Sequence, residues 1–369
     1  MGSTTRRTYL ELAGHKMAPI CDAFLPIGVQ RHRLSSILWL MMSPWGDRPL
    51  GSRPRILSDI TDDHTPFEFS IAFREHGPEF RMLVESLPLD PLAASRWNAG
   101  LVLNRKLERQ FGCSTRRFRV IQDLFRPADD WAKFAMWHAV NVGPTDTFKI
   151  YLNPGARGRG AAAGVVEEAL RRLEMGNVLA SLPPVRPGRD EVRYFSLDLA
   201  EDDSARVKVY YCHEGSDVDD VERLLRRSPH HVYGEAARFC RALGGERARY
   251  DRLPLQTCYS FVQGESTPST VTLHFPVRAY VPNDQEAMDR IAGVLAEAQR
   301  SAYTRMVKGY IGQAPEASTG AQTYLSYHRT ASSYCTTVYL SPNAYQRGRV
   351  DTSDRRVAHA ASGLMSLSA

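Results

Sequence analysis

The stretch PFEFSIAFREHGPEFRMLVESL, residues 66–87, alternates apolar with polar or small residues, breaks at His76-Gly77-Pro78, and alternates again. This is the pattern of two half-buried strands joined as a hairpin. It recurs four times. AMWHAVNV (135–142) turns at Gly143-Pro144 into TFKIYLNP; EVRYFSLDL (191–199) turns at EDDS into ARVKVYYC; QTCYSFVQ (256–263) turns at GESTPS into TVTLHFPV. The last pair is QTYLSYHRT (322–330), which passes ASS and returns as YCTTVYLSP (334–342).

Between the hairpins, segments 91–111, 161–175, DVDDVERLLRRS with GEAARFCRALG (217–244) and 283–310 repeat apolar residues every three or four positions, so each is helical with one buried face. The succession predicts an α+β fold: ten antiparallel strands in five sequential hairpins, closed into one barrel and ringed by helices. Such a barrel is wider than the eight-stranded type that its own side chains fill, and it leaves a solvent-filled chamber. Residues 1–369 read as a single domain of five repeated helix–strand–strand–helix units, with a polar tail from about residue 347 forming a closing helix or frayed end.

No apolar run approaches the roughly 20 residues of a membrane helix; SILWLMM (36–42) is too short. The opening MGSTTRRTYLELAGHK lacks the order of a secretory signal, so a cytoplasmic location without a membrane partner is expected. The six cysteines form no CxxC pair and no Cys/His cluster of metal-ligand spacing, which reads as buried reduced thiols. A formal charge of +6 favours an anionic partner: nucleic acid, a membrane surface or a phosphorylated small molecule.

The returning strands narrow that choice. They carry Arg81; Lys149 and Tyr151; Arg206, Lys208 and Tyr210; Thr272 and His274; and Tyr339. Spacing by two puts these on one face, with Met82, Ile150, Val207, Val209, Leu273 and Val338 on the other. The aliphatic face belongs under the helices, so the polar face points into the chamber. It is read as holding four strong cations and no acid. Uncompensated cations facing a cavity await an anion, and guanidinium forks with ammonium groups suit a diphosphate. The tyrosines add hydrogen bonds and π faces that shield a carbocation. A chamber that binds diphosphate and shields a cation is suited to ionising an allylic diphosphate. Glu68 also points inward, where it is read either as an ion-pair partner of Arg81 or as an acceptor for an N–H group that raises the nucleophilicity of an aromatic substrate.

The set Glu68, Arg81, Lys149/Tyr151, Arg206/Lys208/Tyr210 and Tyr324/Tyr339, on five such units, resembles the indole prenyltransferases of the dimethylallyltryptophan synthase type, which adopt the ABBA prenyltransferase barrel. The resemblance covers nearly the whole chain. It implies transfer of dimethylallyl from dimethylallyl diphosphate to the indole of L-tryptophan or a tryptophan-derived compound, with no required cofactor, magnesium being at most stimulatory. It further implies a role in secondary (alkaloid) metabolism, and a monomer or homodimer. Carried over by residue, Glu68 matches the group that holds the indole N–H, and Arg81, Lys149, Arg206 and Lys208 match diphosphate ligands, with Thr272 and His274 beside them. Tyr151, Tyr210, Tyr324 and Tyr339 match the tyrosine shield, and Arg193 matches an arginine that holds the amino-acid carboxylate. The fungal members carry a catalytic lysine on the strand corresponding to AMWHAVNV. Here His138, taken as the base, and Trp137, taken as an acceptor contact, lie near that place. These departures look more like the bacterial branch.

Three other readings stand beside this one. A non-indole aromatic acceptor or a longer prenyl diphosphate would use the same barrel. A nucleic-acid or other anion-binding protein would need its cations on an exposed face. DVDD (217–220), an acid motif of terpene cyclases in other contexts, reads better as a helix start after Ser216 and Asp217.

Overall fold

The structure, a computed structural model, describes residues 7–24, 29–75, 77–130, 132–202 and 204–345. The tail from about residue 347 and His76 of the first turn lie outside the described residues. Helices α1 (Tyr9–Phe24) and α2 (Val29–Met42) precede hairpin β1 (Phe67–Arg74) and β2 (Gly77–Glu85). Next come α3 (Ala93–Phe111), α4 (Arg116–Phe125), β3 (Met136–Val142) and β4 (Thr147–Leu152), then α5 (Ala162–Arg172), β5 (Asp190–Asp198) and β6 (Arg206–His213). After α6 (Val218–Leu225) and α7 (Glu235–Gly244) follow β7 (Leu255–Val262) and β8 (Thr270–Phe275). Helices α8 (Asp284–Val294) and α9 (Glu297–Ile311) lead to β9 (Gln322–Arg329) and β10 (Tyr334–Leu340).

The strands close into one ten-stranded barrel, each antiparallel to its neighbours, with β1 paired to β10 so that Ser70 faces Tyr339. Closure leaves no free sheet edge. All five hairpin turns lie at one end of the barrel and all helical connections at the other, because every hairpin is traversed in the same sense.

The alternation fixes which side faces what. Phe67, Phe69, Ile71 and Phe73 of β1, with Met82, Ile150, Val207, Val209, Leu273 and Val338, are buried in the apolar layer beneath the helices. The two pieces expected within 217–244 are α6 and α7, whereas the expected single segment 283–310 is broken in two at Leu295, whose extended backbone (φ −79°, ψ 152°) ends α8. Asp217 caps α6, accepting the Asp220 N–H at 2.8 Å, so DVDD is a helix start. Helix α9 packs on α1 through Gly309, where an added Cβ would lie 3.0 Å from the Pro19 side chain.

Candidate active site

The barrel lumen gathers the side chains that alternation turned away from the helices. Arg81, Lys149, Tyr151, Arg206, Lys208, Tyr210, Thr272, His274 and Tyr339 line one internal cavity. The cations therefore converge inside a closed barrel, which removes the exposed basic face that a nucleic-acid reading requires. Arg74, Asn141 and His328 line the same cavity and were not singled out from the sequence.

Counting from the hairpin turns, the returning strands β4, β6 and β8 carry their lumen residues in one order. Arg206 and Lys208 precede Tyr210, Lys149 precedes Tyr151, and Thr272 precedes His274. The cationic groups thus occupy the turn end and the rings the next layer. Tyr151 and Tyr210 stand with centroids 5.7 Å apart, Tyr210 and His274 5.9 Å, His274 and Tyr339 5.7 Å, and Tyr339 and Tyr324 6.4 Å. Tyr194 joins this belt to Trp137, 5.8 Å from Tyr210 and 5.3 Å from the indole. Glu68 lies beyond, near the start of β1 and so toward the helical end.

The charge balance at the turn end differs from the expected one. Glu79 of β2 stands two residues before Arg81, on the same face, and binds it at 2.6 Å while lying 3.1 Å from Arg74. Asp198 of β5 pairs with Arg206 at 2.7 Å. The returning strands therefore do carry an acid, and two of the four cations are compensated. Lys149 and Lys208 form no ion pair among the described residues. Burial, with Lys208 and Arg81 nearby, holds the Lys149 pKa well below the ordinary lysine range. Burial and Arg206 bring Lys208 down to about 8. Arriving negative charge would restore both ammonium groups. Burial raises the phenol of Tyr151 to about 12 and those of Tyr210 and Tyr339 further, so they stay protonated as hydrogen-bond donors.

Glu68 is not the partner of Arg81. The β1–β2 register sets Ser70 opposite Arg81 and Glu68 opposite Leu83, while Glu79 takes the guanidinium. The Glu68 carboxylate instead accepts a hydrogen bond from Thr323 Oγ1 at 3.2 Å. Burial raises its pKa to about 7, opposed by the Thr323 bond and by Arg278. Thr323 and Arg278 were missed from the sequence; Arg278 lies after β8, outside any strand alternation.

His138 is also misplaced by the sequence reading. It shares the outward face of β3 with Met136 and Val140, and its Nε2 lies 2.9 Å from Asn104 Oδ1 of α3. Full burial lowers its pKa to about 3. It does not reach the lumen and cannot serve there as the base. Trp137, on the other face, belongs to the aromatic cluster, stacked on Phe134 at 4.0 Å. Arg193 sits at the bulge between Val192 and Tyr194 and pairs with Glu191 at 3.1 Å. It is absent from the cationic cavity lining. Tyr324 is reached from β7, where Gln256 Nε2 donates to its hydroxyl at 3.0 Å.

Among the described residues no group of three or more His, Cys, Asp or Glu is placed to hold a metal ion, and no helix is long and apolar enough to cross a membrane. The six cysteines are free.

Comparison with known proteins gives concordant results. The model of the family described as tryptophan dimethylallyltransferase matches residues 42–311. The 6-dimethylallyltryptophan synthase from Micromonospora olivasterospora, solved in complex with DMASPP and Trp, is 32% identical with a TM-score of 0.85 over 92% of this chain and 99% of that one. The prenyltransferase PriB, in ternary complex with L-tryptophan and dimethylallyl thiolodiphosphate, is 31% identical with a TM-score of 0.85, covering 94% and 100%. The 5-dimethylallyltryptophan synthase from Streptomyces coelicolor, also in complex with DMASPP and Trp, is 30% identical with a TM-score of 0.85, covering 94% and 98%.

Proposed function

This chain belongs to the tryptophan dimethylallyltransferase family, and from that premise we propose that it transfers a dimethylallyl group from dimethylallyl diphosphate to a carbon of the indole ring of L-tryptophan. The observation that carries this reading is the order along the lumen: cations at the turn end, an aromatic belt in the middle, and Glu68 beyond it.

The diphosphate takes the turn end. Arg81, Lys149, Arg206 and Lys208 donate to its oxygens, and the C–O bond of the allylic ester breaks with its electron pair leaving on the diphosphate. Tyr151, Tyr210, Tyr324 and Tyr339 keep water from the resulting allyl cation and present ring faces to it. The indole stacks against the opposite side of the cation, its N–H donated to the Glu68 carboxylate, which pushes electron density into the ring. An indole carbon forms the new C–C bond, and the ring proton then leaves to a base. Arg193 would hold the amino-acid carboxylate, and Trp137 would flank the acceptor. Thr272 and His274 border the diphosphate. Neutralisation of the leaving group by these side chains needs no metal, which supports a cofactor-free reaction. A cytoplasmic location and a place in bacterial secondary metabolism belong to the same reading.

The test is incubation with dimethylallyl diphosphate and L-tryptophan in EDTA, with NMR of the product. A single C-prenylated tryptophan is expected. Recovery of unchanged tryptophan, or a product only from a phenolic acceptor or a longer prenyl diphosphate, would refute it.

A further inference from the structure

Arg278 follows β8 in the segment Val277–Ala279, away from the cationic end of the lumen, yet three separate contacts converge on it. Its Nε and Nη2 fork onto the Asp62 carboxylate at 2.6 and 3.0 Å. Its Nη1 donates to the Thr323 carbonyl oxygen at 3.1 Å. Its guanidinium carbon lies 4.5 Å from the centroid of the Tyr324 ring. The Arg278 side chain is 10% exposed and that of Asp62 28%, so the pair is largely shielded from solvent.

The two residues it grips are those that bound the acceptor end of the lumen. Thr323 supplies the hydroxyl that donates to Glu68, and Tyr324 is the last ring of the belt, 6.4 Å from Tyr339. A guanidinium with a carboxylate fork on one side has a fixed plane, so its hydrogen bond and its stacked ring are fixed with it. The same positive charge faces Glu68, together with Thr323 of β9, Tyr339 of β10 and Tyr310 of α9.

We propose that Arg278, oriented by Asp62, is a positioning residue for the prenyl transfer: it seats the Thr323 hydroxyl on Glu68 and the Tyr324 ring beside the reacting carbon. This rests on the function proposed above. The guanidinium itself does not touch substrate. It acts by keeping the Glu68 carboxylate ionised and aimed, and by holding a ring whose position decides which indole carbon meets the cation. Loss of such alignment at a reacting centre lowers rate with little change in ground-state binding.

The experiment compares Arg278→Met, Arg278→Lys and Asp62→Asn with the parent enzyme. In Arg278→Met, the single-turnover rate with L-tryptophan is expected to fall about tenfold or more, with a broadened mixture of prenylated positions and unchanged affinity for dimethylallyl diphosphate. Asp62→Asn should move both readouts in the same direction by less. Independently of substrate, the Glu68 carboxyl band in infrared spectra, identified by difference against Glu68→Gln, should titrate at higher pH in Arg278→Met and near the parent value in Arg278→Lys. Folded variants that keep the parent rate, isomer ratio and Glu68 titration would overturn the proposal. If Arg278→Met does not fold, Asp62→Asn and Arg278→Lys decide the same point. Should the parent enzyme not prenylate tryptophan at all, the functional reading fails, whereas the Glu68 titration still decides whether Arg278 controls that carboxylate.

Discussion

Arg206 and Asp198 lie on adjacent strands at the turn end of the lumen, the guanidinium Nε 2.7 Å from the carboxylate and the Arg206 amide 3.1 Å from the same oxygen. The carboxylate holds the cation in the cavity before any anion arrives. Arg206→Ala removes a proposed diphosphate ligand and leaves the Asp198 carboxylate without its guanidinium partner. Equilibrium binding of inorganic diphosphate should weaken by about 2–3 kcal/mol. Asp198→Asn removes only the negative partner, and its diphosphate affinity should match or exceed that of the parent. Parent-like affinity in Arg206→Ala would remove this residue from the anion site.

Glu68→Gln keeps the shape of the side chain and removes its charge. The chemical rate should drop far more than the affinity for dimethylallyl diphosphate, as single-turnover kinetics beside ligand binding will show. Because burial lifts the carboxyl to about 7, it is protonated below that pH and ionised above it. Tryptophan kcat/KM should therefore rise with pH through about 7. Glu85, opposite Trp137 at the helical end of the barrel, is raised to about 7 as well and is held by Arg96 and Ser58. Loss of the rise in Glu68→Gln assigns it to Glu68, and its survival there would assign it elsewhere.

The depressed lysines predict proton uptake on ligand binding. Burial and neighbouring cations bring Lys208 down to about 8 and hold Lys149 well below its ordinary range. A diphosphate favours the charged form of both, so protons enter with it and affinity falls as pH rises above about 8. Calorimetry in buffers of different ionisation enthalpy at pH 8 should give a heat that depends on the buffer. Buffer-independent heat would mean that both lysines are already charged.

His138→Leu tests the corrected assignment. The substitution leaves the Asn104 amide oxygen without its partner in a buried site and should cost about 1–3 kcal/mol in denaturant unfolding. Turnover per folded molecule should stay at the parent level. A large loss of chemical rate in the folded variant would return His138 to the mechanism.

The barrel and its cationic lining were legible because side chains on a strand alternate strictly, and one face of every returning strand is aliphatic. The same parity, applied to β3, would have placed His138 with Met136 and Val140 under the helices, and applied to β2 would have put Glu79 beside Arg81. What parity cannot supply is register. That Glu68 opposes Leu83 rather than Arg81, and that Asp198 reaches Arg206, depends on turn length and strand pairing. Arg278 and Asp62 lie outside the strands altogether, where no periodicity marks them, and their partnership is visible only once the chain has closed.

That closure has a consequence for how the protein comes into being. Glu68 and its hydrogen-bond donor Thr323 are 255 residues apart, and β1 finds its second neighbour only when β10 is available. While the chain is still being synthesised, β1 exposes an unpaired edge and the lumen lysines have no enclosure, so contacts of this sequence separation make assembly slow and aggregation-exposed. Catalytic competence should accordingly arrive in one step with the final strand rather than grow with chain length. Emergence of β10, not any earlier stage of elongation, is the moment at which this barrel acquires an inside.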